Sequence, residues 1–125
     1  MVHLDFDTCE APVILRFTTP FMPTDEADYL RALDQIATLD RPFTLMTVFE
    51  GHIGLSREAE RDQALWFKRT RERMNGCCKA LAIVRGDAHA EMADVFRKLW
   101  TFPIIATADE QAAMLFLNDH QKASA

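Results

Sequence analysis

The stretch RPFTLMTVFEG (residues 41–51) decides the fold. From Phe43 to Phe49 the residues are nearly all apolar. A turn at Asp40-Arg41-Pro42 precedes the run, and Glu50-Gly51 follows it. A half-buried strand alternates apolar and polar residues. A short run that does not alternate, bounded by turn residues, reads as a strand covered on both faces. Such a strand belongs in the middle of a layered sheet, so the flanking sequence has to supply the other strands and the covering helices.

Upstream, Val2, Leu4 and Phe6 alternate with His3, Asp5 and Asp7, the period of a half-buried strand. The turn residues of TCEAP lead into Val13, Ile14, Leu15 and Phe17, so the chain opens as a β-hairpin. Pro20 and Pro23 end that strand. Thr24 is placed to cap a helix over 24–38, with Asp25 and Glu26 in its first turn and Leu30, Leu33, Ile36 and Ala37 at helical spacing.

Downstream, a helix is expected from Ser56 to about Asn75, with Ala59, Gln63, Trp66, Phe67, Thr70 and Met74 on one stripe. Gly76 is expected to stop it in a left-handed conformation. Residues 80–84, ALAIV, read as another buried strand. Ala88, Met92, Val95, Phe96, Leu99 and Trp100 give a third helix its apolar face. The short strand 102–106 carries Pro103, which places it at a sheet edge or a strand start. Thr107 and Glu110 have the spacing of a capping box before a last helix bearing Met114, Leu115 and Leu117.

The expected architecture is therefore α/β, ordered ββαβαβαβα. It has a mixed, mostly parallel sheet of about five strands, an N-terminal antiparallel hairpin and four helices. Residues 1–120 form one domain, and 121–125, small and polar, form a tail expected to fray.

Composition narrows the function. The 125 residues are 49% hydrophobic and 26% charged, an ordinary globular balance. A net charge of −5 disfavours nucleic acid as a partner. No stretch has the ~20 apolar residues of a membrane span, and the acidic start is unlike a secretion signal, so a cytoplasmic protein without membrane insertion is expected. Cys9, Cys77 and Cys78 are too few and wrongly spaced for a zinc site and read as free thiols. No cofactor is expected.

Three segments, VILRFTTPF, FTLMTVFEG and LWTFPIIATADEQAAMLFL, resemble the STAS domains, and in particular the SpoIIAA-like (STAS/SEC14-like) group of small bacterial proteins. The likeness spans nearly the whole chain. It implies a non-enzymatic domain of uncharacterised role that acts through protein–protein interaction, with a protein partner or with itself as a homodimer. In STAS antagonists a strand ends in an acidic residue, and a nearby serine that opens the next helix is phosphorylated. Glu50 and Ser56 stand at roughly those positions, although here the glycines precede the serine.

The candidate site residues fall into two groups. Glu50, His52 and Ser56 could form a phospho-switch or ligand loop, yet Ser56 is also what a helix N-cap requires. Phosphate there would gain from Arg57 and Arg61 but be repelled by Glu58 and Glu60. Trp66, Trp100 and Phe102 could line an apolar pocket, because two tryptophans and nine phenylalanines are generous for this length. A carrier or sensor of a small apolar ligand is thus the alternative function, and it calls for a closed cavity of roughly 300 Å³ or more. An enzyme would need His52, Ser56 and Glu50 to converge. Asp87, His89 and Glu91 superficially resemble a metal set, but on a helix His89 points away from the two acids. The basic residues of the second helix interleave with acids and read as a solvated face.

Overall fold

The strand built from Phe43–Phe49 is the middle one of five. In chain order the elements are β1 (Val2–Asp5), β2 (Val13–Phe17), α1 (Asp25–Ala37), β3 (Phe43–Phe49), α2 (Arg57–Cys77), β4 (Cys78–Arg85), α3 (Ala90–Arg97), β5 (Ile104–Thr107) and α4 (Glu110–Lys122). This computed structural model describes residues 1–5, 12–19, 22–39, 41–50, 56–86, 88 and 90–122. The turn expected at TCEAP lies outside them. Strand order in the sheet follows chain order, with β1 antiparallel to β2 and the other neighbours parallel. The mixed α/β sheet and its opening hairpin are as expected, and Pro103 does precede an edge strand.

The order of the strands dictates where the helices go. From β2 to β5 each crossover steps one strand in the same direction, and right-handed crossovers of that kind place every connecting helix on one face. That face carries the larger core. Val13, Leu15, Leu45, Leu81, Ile83 and Ile104 on the sheet meet Tyr29, Leu33 and Ile36 of α1, Trp66 and Met74 of α2, and Ala93 of α3. Each fully buried Val, Leu, Ile or Met side chain among these is worth about 1.5–3 kcal/mol.

Only α4 packs on the opposite face, over β3, β4 and β5. The sheet there presents Ala80, Ala82 and Met46 to Ala113 and Leu117. Small side chains on both surfaces let the helix lie close. On the first face the bulk of Trp66 and Phe67 keeps α2 further from the strands.

Ion pairs and local bonds fix several elements. Arg16 of β2 donates to the carboxylate of Glu110, the first residue of α4. This bond from Arg16 holds the Glu110 carboxyl below its usual value, against a smaller opposing push from burial. Asp25 is a buried carboxylate, and such a group needs partners. It accepts the Met22 N–H at 2.6 Å and the Met1 amino group at 2.9 Å. Desolvation pushes its pKa up, but these bonds together outweigh that and leave it lowered. At the free edge of the sheet, the Arg97 guanidinium donates to the Ile104 carbonyl at 2.7 Å.

Three local expectations are corrected. Thr24 makes no side-chain cap; the Asp25 carboxylate bonds the Met22 N–H instead. Gly76 adopts no left-handed conformation, because α2 continues through it to Cys77 and passes straight into extended Cys78. The Thr107–Glu110 capping box is replaced by two shorter bonds. Thr107 accepts the Asp109 N–H at 3.1 Å, and Asp109 accepts the Gln111 N–H at 2.9 Å, which leaves Glu110 to Arg16. Helix α4 also runs to Lys122, two residues into the stretch expected to fray.

Candidate functional site

The loop candidates resolve into separate roles. Ser56 is the N-cap of α2: it is extended (φ −66°, ψ 163°), and its hydroxyl accepts the Ala59 N–H at 3.1 Å. Its own N–H donates to the Glu26 carboxylate of α1 at 2.8 Å. A phosphate on Ser56 would therefore sit near Glu26 as well as Glu58 and Glu60. Glu50 accepts from the Thr19 hydroxyl, and its N–H donates to the Phe17 carbonyl at 2.9 Å. His52, with 51–55 as a whole, lies outside the described residues. Among the described residues, Glu50 and Ser56 share no hydrogen bond.

The aromatic candidates, by contrast, do meet. Between the first face of the sheet and α1, α2, the end of α3 and the segment that follows it lies a cavity of about 190 Å³. Its floor comes from alternate residues of the two central strands: Leu45, Thr47 and Phe49 of β3, and Leu81, Ile83 and Arg85 of β4. Trp66 and Phe67 of α2 form one wall with Phe96 and Trp100, and Tyr29 and Leu33 of α1 form another.

The rings hold one another in place. Trp66 and Trp100 stand edge to face at 6.5 Å and 88°, and Phe67 meets Trp100 edge-on at 5.4 Å. Phe96 stacks on Trp100 at 5.9 Å. Phe102 stacks on Trp100 as well, at 5.2 Å, but does not line the cavity. Two of the three pocket candidates thus line it directly, and the third supports one of them. The volume falls short of the expected 300 Å³, and the cavity is not closed.

Strand register shows how far along the sheet it extends. Phe17, Phe49 and Arg85 lie side by side and are the last residues of β2, β3 and β4. The cavity therefore reaches the carboxyl ends of the parallel strands, where open α/β sheets generally bind ligands. Arg85 lies over the Phe49 ring, 5.6 Å from its centroid.

One row further in, Thr47 is only half-buried, although its register neighbours Leu15 and Ile83 are 1% and 4% exposed. The cavity accounts for that difference. Among the described residues, no side-chain hydrogen bond is made by Thr47 or by Gln63 on the facing helix. The indole N–H groups of Trp66 and Trp100 are buried and also lack an acceptor among the described residues. Burial pushes the Tyr29 phenol up to about 12, so it stays neutral at physiological pH.

The remaining candidates carry less. The Cys78 thiol is buried, bonds the Ala80 carbonyl at 3.4 Å and is pushed up to about 12 by burial, so it is no nucleophile. Cys9, Asp87 and His89 lie outside the described residues, as does the Glu91 side chain. Among the described residues no group of His, Cys, Asp and Glu could hold a metal ion. Part of the basic face of α2 is structural. Arg69 pairs with Asp34 at 2.8 Å, and Arg73 donates to the Thr38 and Leu39 carbonyls, tying α2 to α1. No described helix is long and apolar enough to cross a membrane.

Sequence reasoning missed Thr47, Gln63 and Arg85 as lining residues. The signal for Thr47 was present, as a hydroxyl among the alternate residues Phe43, Leu45, Thr47 and Phe49 of one strand face. No family model matches the chain, and no curated protein or solved structure matches it.

Proposed function

We propose that this chain is a non-enzymatic binding domain, a carrier or sensor of a small apolar ligand held beside the sheet. The cavity carries this reading: an aromatic-lined space at the carboxyl edge of a parallel sheet, with a few polar groups in it, has the form of a ligand site. Membership in the STAS-like, SpoIIAA-like group is part of the proposal, supported by the element order and the antiparallel first strand. A cytoplasmic setting is also part of it, supported by the unbridged Cys77 and Cys78.

The chain's two tryptophans both line the cavity, so intrinsic fluorescence reports its occupancy. Titration with single-ring apolar compounds should shift the emission and raise the melting temperature. Ile83→Phe, which fills the floor, should abolish both responses. No response from the wild type across such a panel would defeat the proposal.

Protein–protein interaction, as a homodimer or with another partner, is the second reading. It is favoured by the β1 end of the sheet's second face, where His3 and Asp5 stay exposed beyond the reach of α4. Sedimentation of wild type and of a His3→Glu variant tests self-association. A monomer at all concentrations would remove the homodimer.

A further inference from the structure

Resting on the ligand-site reading above, we infer that the cavity takes an uncharged single-ring aromatic hydroxyl compound, its ring among the tryptophans and its hydroxyl bonded by Thr47 and Gln63. Three observations converge on this class.

The first is size. A protein cavity of about 150 Å³ lined by apolar side chains holds a benzene molecule. The cavity here, at about 190 Å³, admits one ring and a short substituent but no long acyl chain.

The second is the make-up of the wall. Trp66, Phe67, Phe96 and Trp100 meet in edge-to-face and stacked pairs, and a further aromatic ring can join such a cluster through its faces or its edge. Leu45, Leu81 and Ile83 supply an apolar floor.

The third is polarity. Thr47 and Gln63 both line the cavity and are only half-buried, and neither makes a side-chain hydrogen bond among the described residues. Each side chain carries a donor and an acceptor. A hydroxyl on the guest carries both as well, so it can donate to one and accept from the other. A ketone or an ether can only accept. A purely apolar ring would take water from the Thr47 hydroxyl and the Gln63 amide and give nothing back, which costs free energy.

The rest of the lining selects against charge. Among the described lining residues there is no Asp, Glu, Lys or His. The one ionised side chain, Arg85, is already engaged, in part with the Phe49 ring. A charged guest would lose its hydration without meeting an unengaged counter-charge.

The test measures the binding of p-cresol, p-xylene, benzoate and octanol to the full chain by calorimetry. The first two have nearly the same shape and differ by a hydroxyl in place of a methyl. Wild type should bind p-cresol. A Thr47→Val/Gln63→Met double variant nearly keeps the volume and removes both polar groups. It should bind p-cresol at least about tenfold more weakly, because the guest's hydroxyl is then buried without a partner. It should bind p-xylene as tightly as wild type or more so. Retained p-xylene binding also shows that the variant is folded with its cavity intact. Should it lose p-xylene too, Thr47→Val alone decides, and there p-cresol alone should weaken.

Binding of p-xylene but not p-cresol by wild type, or an unchanged p-cresol affinity in the variant, would overturn the hydroxyl assignment and leave the ligand-site reading standing. Tighter binding of benzoate than of p-cresol would overturn the uncharged class, and tighter binding of octanol the single-ring class. Failure of all four probes would overturn this inference; whether the site reading falls with it is decided by the wider panel of apolar rings.

Discussion

Arg16 and Glu110, 94 residues apart in sequence, join the second strand to the first turn of the last helix. The carboxylate is held low chiefly by the bond from Arg16, so its ionised form favours the folded state. A carboxyl whose folded pKa is depressed adds stability above its unfolded value, near 4.3, and loses it as the pH falls through the folded value. Glu110→Gln should therefore be less stable than wild type at pH 7. The gap should close progressively below about pH 4.5. Both groups are part-exposed, so the gap will be small. Urea midpoints of the two proteins across pH 2.5–7 check this, and a gap that widened in acid would contradict it. Asp25, also depressed, is common to both and cancels.

Ser56→Ala removes the acceptor for the Ala59 N–H at the start of α2. The expected loss is about 1 kcal/mol. Ser56→Asn, which can accept the same bond, should recover most of it. Thermal melts that rank alanine and asparagine equally would show that the cap contributes nothing here.

Ala82 and Ile83 are adjacent on β4 but face opposite layers. Ala82 is fully buried under α4, so Ala82→Leu should destabilise by about 1–3 kcal/mol through overpacking. Ile83 borders the cavity, so Ile83→Phe has room to grow into and should be near neutral or stabilising. Chemical denaturation of the pair tests whether the cavity is empty space. Equal losses would mean that it is not.

Arg97 bonds the outward Ile104 carbonyl on the edge strand β5 and pairs with Asp94 at 2.6 Å. Exposed edges recruit other strands, and a covering charge guards against that. Arg97→Ala should raise concentration-dependent association, measured by light scattering, with little change in melting temperature. An unchanged scattering profile would assign the edge's protection to other features.

The layer structure could be read directly because its signals are local. The run from Phe43 to Phe49 specifies a strand buried on both faces whatever its neighbours are, and the stripe from Ala59 to Met74 specifies the buried side of α2. Capping was read less well, because one acid can serve two partners. Glu110 has the spacing to cap its own helix, yet Arg16, placed beside it by the sheet, takes the carboxylate. The pocket was half legible. Trp66 and Trp100 stood out as surplus aromatics, whereas Arg85 reads as an ordinary strand end until parallel register sets it beside Phe49. No local pattern distinguishes Phe102, which braces the wall, from Phe96, which forms it.

Because strand order repeats chain order, every strand except the first is laid against one already synthesised. The sheet can grow vectorially as the chain leaves the ribosome, without waiting for a distant partner. The floor is complete once Arg85 has emerged, and the wall only with Trp100. Trp100 thus marks the point in synthesis by which every lining residue of the cavity has been made.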